Sequence, residues 1–144
     1  MRGLAALTLL ALAPSAVAGE FRSIAENGTL MYDAPSVRAK KLFVASRNYP
    51  VEIVINIDAW AKVRDQSGDL TWVEKKALSD RRTVLITGAY ADVRQAPNDQ
   101  AALVFQAQNG VALDVVEPPA GGWVKVHHAD GQVGFLKIAQ VWGL

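Results

Sequence analysis

The chain of 144 residues has no cysteine, only two histidines and almost no net charge, with 15 Lys and Arg against 14 Asp and Glu. Each shortage excludes something. Without cysteine there is no disulfide framework, no thiol nucleophile and no cysteine-ligated zinc. A balance this close to neutral provides no long-range field to gather nucleic acid or an anionic membrane, so neither is an expected partner. His127 and His128 are adjacent, and neighbours on a strand point to opposite faces, which prevents them from sharing one metal ion. The sequence carries no G-x-S-x-G turn, phosphate-binding loop or dinucleotide glycine motif, and the carboxylates of Asp65 and Asp69 bracket a turn in which solvated charge is the ordinary state. No catalytic residue, metal or cofactor is therefore expected. What the chain does have is apolar content, at 51%, which rules out an intrinsically disordered protein.

Part of that apolar content sits at the start. Met1-Arg2 is a short positive region, Leu4 to Ala13 is apolar apart from Thr8, Pro14 interrupts it, and Ala16-Val17-Ala18 places small residues at the positions a signal peptidase reads. The run is about half the ~20 residues that span a bilayer, so it predicts a cleaved signal peptide, residues 1–18, and no membrane span. Loss of Arg2 leaves 14 basic and 14 acidic residues in 126. The mature protein is expected to be periplasmic or secreted.

The remainder reads as short strands. Val51 to Ile57 alternates with period two, which predicts Val51, Ile53, Ile55 and Ile57 on one face. Further apolar or β-branched runs lie at 30–32, 41–45, 60–64, 70–74, 82–87, 103–106, 111–117, 123–127 and 133–137. Turn residues such as Asn27-Gly28, Ser67-Gly68, Asn109-Gly110, Gly121-Gly122 and Asp130-Gly131 separate many of them. No window of twelve or more residues holds a helical apolar stripe. An all-β sandwich or barrel is the expected class. The pattern also occurs twice: Pro35 matches Pro97 at an offset of 62, while Trp60, Lys62, Val63, Gly68 and Trp72 match Trp123, Lys125, Val126, Gly131 and Phe135 at 63. The change of offset falls where Pro118 to Gly122 lengthens a loop, an insertion that costs little. Two small β modules follow, residues 19–79 and 82–144. Their connection is too short to be a free linker, so they should touch in a fixed orientation.

Val93-Arg94-Gln95-Ala96-Pro97, Trp123-Val124-Lys125-Val126, Asp130-Gly131 and Gly134-Phe135-Leu136 together resemble the bacterial SH3-like domain. The first half repeats the order less closely, with Pro35, Trp60-Ala61-Lys62-Val63 and Gly68 to Val73, and with Met31-Tyr32 where Val-Arg is usual. The resemblance covers nearly the whole mature chain. It implies two tandem, strongly bent five-stranded SH3-like barrels, of the exported proteobacterial type, and gives architecture more than activity.

In such a barrel Trp60 and Trp123 lie at the edge of a shallow groove, where an aromatic face can stack on an extended peptide. Alternation sends Val124 and Val126 to one face and Trp123 and Lys125 to the other. Tyr32, Trp60, Trp72, Arg94, Trp123 and Lys125 are the candidate ligand-binding residues, and the competing role for the aromatics is core packing, which a domain of about 60 residues needs. Lys75-Lys76 and Arg81-Arg82 form a local basic cluster at the junction, suited to an acidic partner or simply solvated. The function these features suggest is a non-catalytic exported binding or scaffold protein for a cell-envelope component, a peptide or peptidoglycan, held in grooves between the barrels. An accessory subunit docking on another periplasmic protein is the alternative, and a wall-active hydrolase ranks behind both. Export is directly testable: intact-mass analysis of the protein from the periplasm should give Gly19 as the N-terminus, and a retained Met1 would exclude cleavage.

Overall fold

The computed structural model describes residues 19–144, so the expected signal peptide lies outside the described residues. Among the described residues fourteen strands form two antiparallel sheets. The first contains β1 (Glu20–Ile24), β2 (Thr29–Tyr32), β3 (Lys41–Ala45), β4 (Pro50–Ile57), β5 (Trp60–Arg64), β6 (Leu70–Glu74) and β7 (Leu78–Ser79). The second contains β8 (Thr83–Ile86), β9 (Tyr90–Arg94), β10 (Leu103–Gln108), β11 (Ala112–Val115), β12 (Trp123–His127), β13 (Val133–Lys137) and β14 (Val141–Trp142). Strand order is β3-β2-β6-β5-β4-β1-β7 in one and β10-β9-β13-β12-β11-β8-β14 in the other, so the repeat seen in the sequence is a repeat of topology, strand for strand. A single 3-10 turn precedes the last strand of each sheet, at Lys75–Ala77 and Ile138–Gln140. No helix among the described residues is long and apolar enough to cross a membrane.

Each sheet wraps its own core. Ile24, Met31, Val51, Ala61, Val63 and Val73 fill the first, and Val84, Ile86, Val93, Leu113, Val124, Val126 and Leu136 dominate the second. The inward pair Val124 and Val126 follows the expected alternation, with Trp123 and Lys125 turned outward and half-buried. The stripe expected along β4 does not hold. Ile53 lies opposite Val63 but Ile55 lies opposite Lys62, so a bulge adds one residue and reverses the phase of the strand. Val51 stays in the core, while Ile55 and Ile57 are 42% and 45% exposed on the outer face beside Lys62 and Trp60.

The two sheets meet in a packed seam. All four residues of β8 are buried: Val84 and Ile86 face the second core, and alternation turns Thr83 and Leu85 the other way. Thr83 donates its hydroxyl to the Asn48 carbonyl at 2.7 Å, and Ser23 on β1 donates to the Arg81 carbonyl at 2.7 Å. Both side chains are sealed from solvent, so each would be costly without that partner. Beside them the Phe21 ring packs edge-on against Trp142 at 5.2 Å and carries the Arg82 guanidinium at 5.6 Å. Gly143 closes the corner at φ 122°, where an added Cβ would lie 2.7 Å from the Thr83 carbonyl and 3.2 Å from Pro50. Arg82 also donates to the Gly143 carbonyl at 3.0 Å, and Arg81 lies 3.6 Å from Asp114. Much of the basic cluster read from the sequence is therefore built into the junction.

A seam of this kind couples the two cores. The protein should unfold in one calorimetric transition, and Phe21→Ala should cost about 3–5 kcal/mol and separate the transitions of the two halves. Two resolved transitions in the unaltered protein would show instead that the halves are independent.

Candidate functional site

Three adjacent strands in each sheet, β2-β6-β5 and β9-β13-β12, present their outer faces as the place where the candidate residues collect. In the first sheet Tyr32 lies opposite Trp72, and Trp72 opposite Lys62, so the three side chains form one row across the strands. Lys41 extends the row beyond Tyr32 and Ile55 extends it beyond Lys62. Lysine caps the rings: Lys62 Nζ stands 5.9 Å from the Trp72 centroid and Lys41 Nζ 6.0 Å from that of Tyr32, at the outer limit for a cation–π contact. Trp60 comes from the next row, opposite Glu74, and meets the Tyr32 ring edge-on at 5.3 Å. Tyr32 and Trp72 are only 5% and 9% exposed, whereas Trp60 is half-exposed. Tyr32 and Trp72 thus form the floor of this face, and Trp60 offers the open ring.

The second sheet builds the same row from different chemistry. Arg94 takes the place of Tyr32, opposite Phe135, and Phe135 lies opposite Lys125, whose Nζ is 5.7 Å from the ring. Trp123 is opposite Lys137, where Trp60 has Glu74, and Lys137 Nζ sits 5.8 Å over the indole. Ion pairs fix the surroundings: Arg94 with Asp92 at 3.0 Å, Lys137 with Asp99 at 2.7 Å and Lys125 with Glu117 at 3.2 Å. Arg94 further donates to the Ala101 carbonyl, and Gln106 to Asp92. Asp92, Arg94, Asp99, Trp123, Lys137 and Gln140 line a small polar cleft of about 60 Å³.

Both tryptophans are aimed by a two-residue turn. Ile57 pairs with Trp60 across Asp58-Ala59, and Ala120 bridges Trp123 across Gly121-Gly122. Gly121 and Gly122 have φ of 59° and 83°, the mirror-image turn that suits a tight hairpin and that two glycines adopt without strain. The six candidate residues therefore gather on two equivalent faces, Tyr32, Trp60 and Trp72 on one and Arg94, Trp123 and Lys125 on the other. The clefts the structure presents on this scale are each lined by a single sheet, and the junction where grooves were expected is filled by the seam. Phe135, Lys62 and Lys137 were missed as site residues. The offset of 63 would have found the first two, since it pairs Phe135 with Trp72 and Lys62 with Lys125, both candidates; Lys137 pairs with Glu74, which was not one, and so left no signal.

The remaining polar candidates resolve into local pairs. His127 faces Asp114 at 3.6 Å while His128 faces Asp130 at 2.9 Å, so the histidines take separate carboxylates. The Gln132 backbone N–H, followed by the His128 side chain, holds the Asp130 carboxyl below its usual value. No group of three His, Cys, Asp or Glu that could hold a metal occurs among the described residues.

The family model described as the bacterial SH3 domain matches twice, over residues 25–80 and 87–143. The chain belongs to the bacterial SH3 domain family. Its modules are tandem and all-β, as the sequence pattern predicted. No curated protein matches. Among solved structures, NlpC2 and NlpC1 from Trichomonas vaginalis are similar at 12% and 14% identity, covering 90% and 96% of this chain and 50% and 51% of theirs. An NlpC/P60 family protein from Bacillus cereus is similar at 14%, covering 85% of this chain and 56% of that one. The TM-score is 0.40 in all three cases, too low to carry their properties across. The chain spans about half the length of these proteins.

A larger opening lies at the end of the first SH3 module, about 290 Å³ between β3, Met31, Thr71 and the turn at Asp65. Tyr49 is on its wall. Burial, and next the nearby Asp65 carboxylate, raise the Tyr49 hydroxyl above the ordinary 10.0, against an opposing hydrogen bond from the Gln66 backbone. A raised value means the folded state holds this proton more tightly than the unfolded chain. The associated stability is complete below pH 10.0 and is lost as pH rises through the raised value. Tyr49→Phe should therefore flatten the alkaline loss of stability in urea titrations, and an unchanged pH slope would show that Tyr49 does not contribute.

Proposed function

We propose that the protein is a non-catalytic, exported binding protein that recognises a cell-envelope component, a peptide or peptidoglycan, on the outer faces of its two SH3 modules. Bacterial SH3 domains are binding modules, typical of extracellular and cell-envelope proteins, and peptidoglycan is a common ligand of theirs. The observation that carries the reading is the duplicated row of rings and cations, Tyr32-Trp72-Lys62 and Arg94-Phe135-Lys125. Peptidoglycan combines flat sugar faces, extended peptides and free carboxylates. The half-exposed indoles of Trp60 and Trp123 suit the first two, and Lys62, Lys125 and Lys137 suit the third. Lys125 and Lys137 are paired with exposed carboxylates, an interaction worth only about 0–1 kcal/mol, so a ligand carboxylate can replace the internal partner at little cost. Buried Tyr32 and Trp72 stiffen the face, and Arg94, tied to Asp92 and the Ala101 carbonyl, shapes the cleft under Trp123. Two faces on one frame favour a repetitive polymer, because the second contact is intramolecular.

Co-sedimentation with purified insoluble peptidoglycan tests the reading. The protein should be retained, and Trp123→Ala should weaken retention by about 1–3 kcal/mol with little change in thermal stability. Trp60→Ala should lose more stability, because Trp60 supports the Tyr32 ring. A Trp123→Ala protein that folds and binds fully would exclude this face, and an unfolded one would make Trp123 structural. Incubation should release no soluble muropeptides; release would overturn the non-catalytic assignment.

A further inference from the structure

The two modules share a topology but end in different edges. β3 and β10 are the outermost strands of their sheets, on the side away from the two-residue strands β7 and β14. Between residues 34 and 51 the chain carries Arg38, Lys40, Lys41 and Arg47 and no acidic residue, whereas the matching stretch around β10, residues 96–113, carries Asp99 and no basic residue. Among the described residues Arg38, Lys40 and Arg47 are exposed and enter no ion pair. Between these cations lies an apolar run: Leu42, Phe43 and Val44 are 38%, 50% and 68% exposed. A bulge at Leu42 offsets the start of the strand, and Phe43 to Ala45 continues in regular pairing with β2 on one side only. An exposed apolar edge with free backbone groups is a template for another strand.

The ends of the two barrels differ as well. In the second module the Phe105 ring rests on His128 at 5.6 Å. In the first module the position of His128 is taken by Asp65, and the opening lined by Met31, Phe43, Ala45, Tyr49, Asp65 and Thr71 remains. The opening beside β3 offers an incoming apolar side chain Met31, Phe43 and Ala45, whereas the opening beside β10 is lined largely by the amides of Gln106, Gln108 and Asn109.

We propose that β3 is a docking edge for an extended, apolar peptide segment with acidic flanks, which adds to the first sheet as a further strand. The inference goes beyond the envelope-binding reading and uses a different element. Backbone hydrogen bonds supply the pairing, the opening beside Phe43 takes an alternate side chain, and the cations at either end select the acidic flanks. Charge also argues against a second copy as the occupant. Two β3 strands side by side would bring four cations from each chain together, against only Asp33 at the start of the strand and Asp65 on the wall of the opening.

The probe is a synthetic peptide of about eight residues with a Val-Leu-Val-Ile centre and Glu-Asp ends, followed by fluorescence anisotropy and amide NMR. Saturable binding should protect the amides of residues 42–46 from exchange. Val44→Glu should weaken it about tenfold or more, as should Lys40→Glu combined with Arg47→Glu, while Gln108→Glu on the neutral edge should leave it unchanged. Val44 is well exposed, so its substitution tests the edge without emptying the core. The same peptide N-methylated at alternate amides should not bind. Equal binding of the methylated peptide, or protection centred elsewhere, would overturn strand addition. A concentration-dependent dimer abolished by Val44→Glu would make a second copy the occupant, and binding to anionic phosphatidylglycerol vesicles that the peptide cannot displace would make the strip a membrane contact; either result overturns the proposal.

Discussion

The burial of β8 on both faces is the constraint on which the rest of the molecule depends. A domain of about 60 residues hides too little surface to be robust by itself, and each core here is little more than a cluster of Val, Ile and Leu. By turning Val84 and Ile86 into one core and Thr83 and Leu85 towards the seam, a single strand belongs to two hydrophobic interfaces. The seam is not merely greasy. Thr83 and Ser23 each reach a backbone carbonyl of the opposite side, and a buried hydroxyl tolerates few alternative positions, so the pair fixes the angle at which the modules meet. Gly143 is part of the same geometry, since a side chain there would displace the Thr83 carbonyl.

With the frame fixed, the faces were free to diverge. Backbone registers match across the repeat, yet Tyr32 becomes Arg94, Trp72 becomes Phe135, Glu74 becomes Lys137 and Asp65 becomes His128. The first face is a cluster of three rings, two of them buried. The second replaces one ring with a guanidinium held by Asp92 and opens a polar cleft under Trp123. A single architecture thus offers two surfaces of different polarity, which is where specificity resides when the fold itself is shared.

How much of this was legible in the sequence depended on where each residue takes its context from. The all-β class, the repeat and the outward pair Trp123 and Lys125 follow from alternation and spacing, which are local. β1 was not legible, because Glu20–Ile24 mixes Arg22 and Ser23 into what ought to be a core strand, and Ser23 is buried only because Arg81, 58 residues away, accepts its hydrogen bond. β9 was half-visible, since Ala91 alternates with Val93 too weakly to announce a strand although Val93-Arg94 marked a motif. Along β4 the alternation was real but misleading. A bulge leaves no signature in hydrophobicity, and it carried Ile55 and Ile57 from the expected core to the outer face. The candidate site was legible as a set of residue types; its division into a buried floor and an open ring was not, because Tyr32 is covered by Trp60 from another strand.

The same frame also explains the treatment of the sheet edges. Each sheet ends on one side in a strand of two residues, β7 or β14, too short to recruit a partner. The other edge cannot be shortened, because β3 and β10 complete their barrels through β2 and β9. β10 is made safe by neutral polar groups, Gln106 and Gln108, and by folding Phe105 inward against His128. β3 has neither device: its apolar side chains face solvent, and the surrounding cations are what keep two copies apart. Protection by charge differs from protection by closure in one respect. Closure refuses every strand, whereas four positive charges refuse like-charged strands and admit those of opposite sign, so the edge that avoids self-association through Arg38, Lys40, Lys41 and Arg47 is by that means selective for an acidic partner.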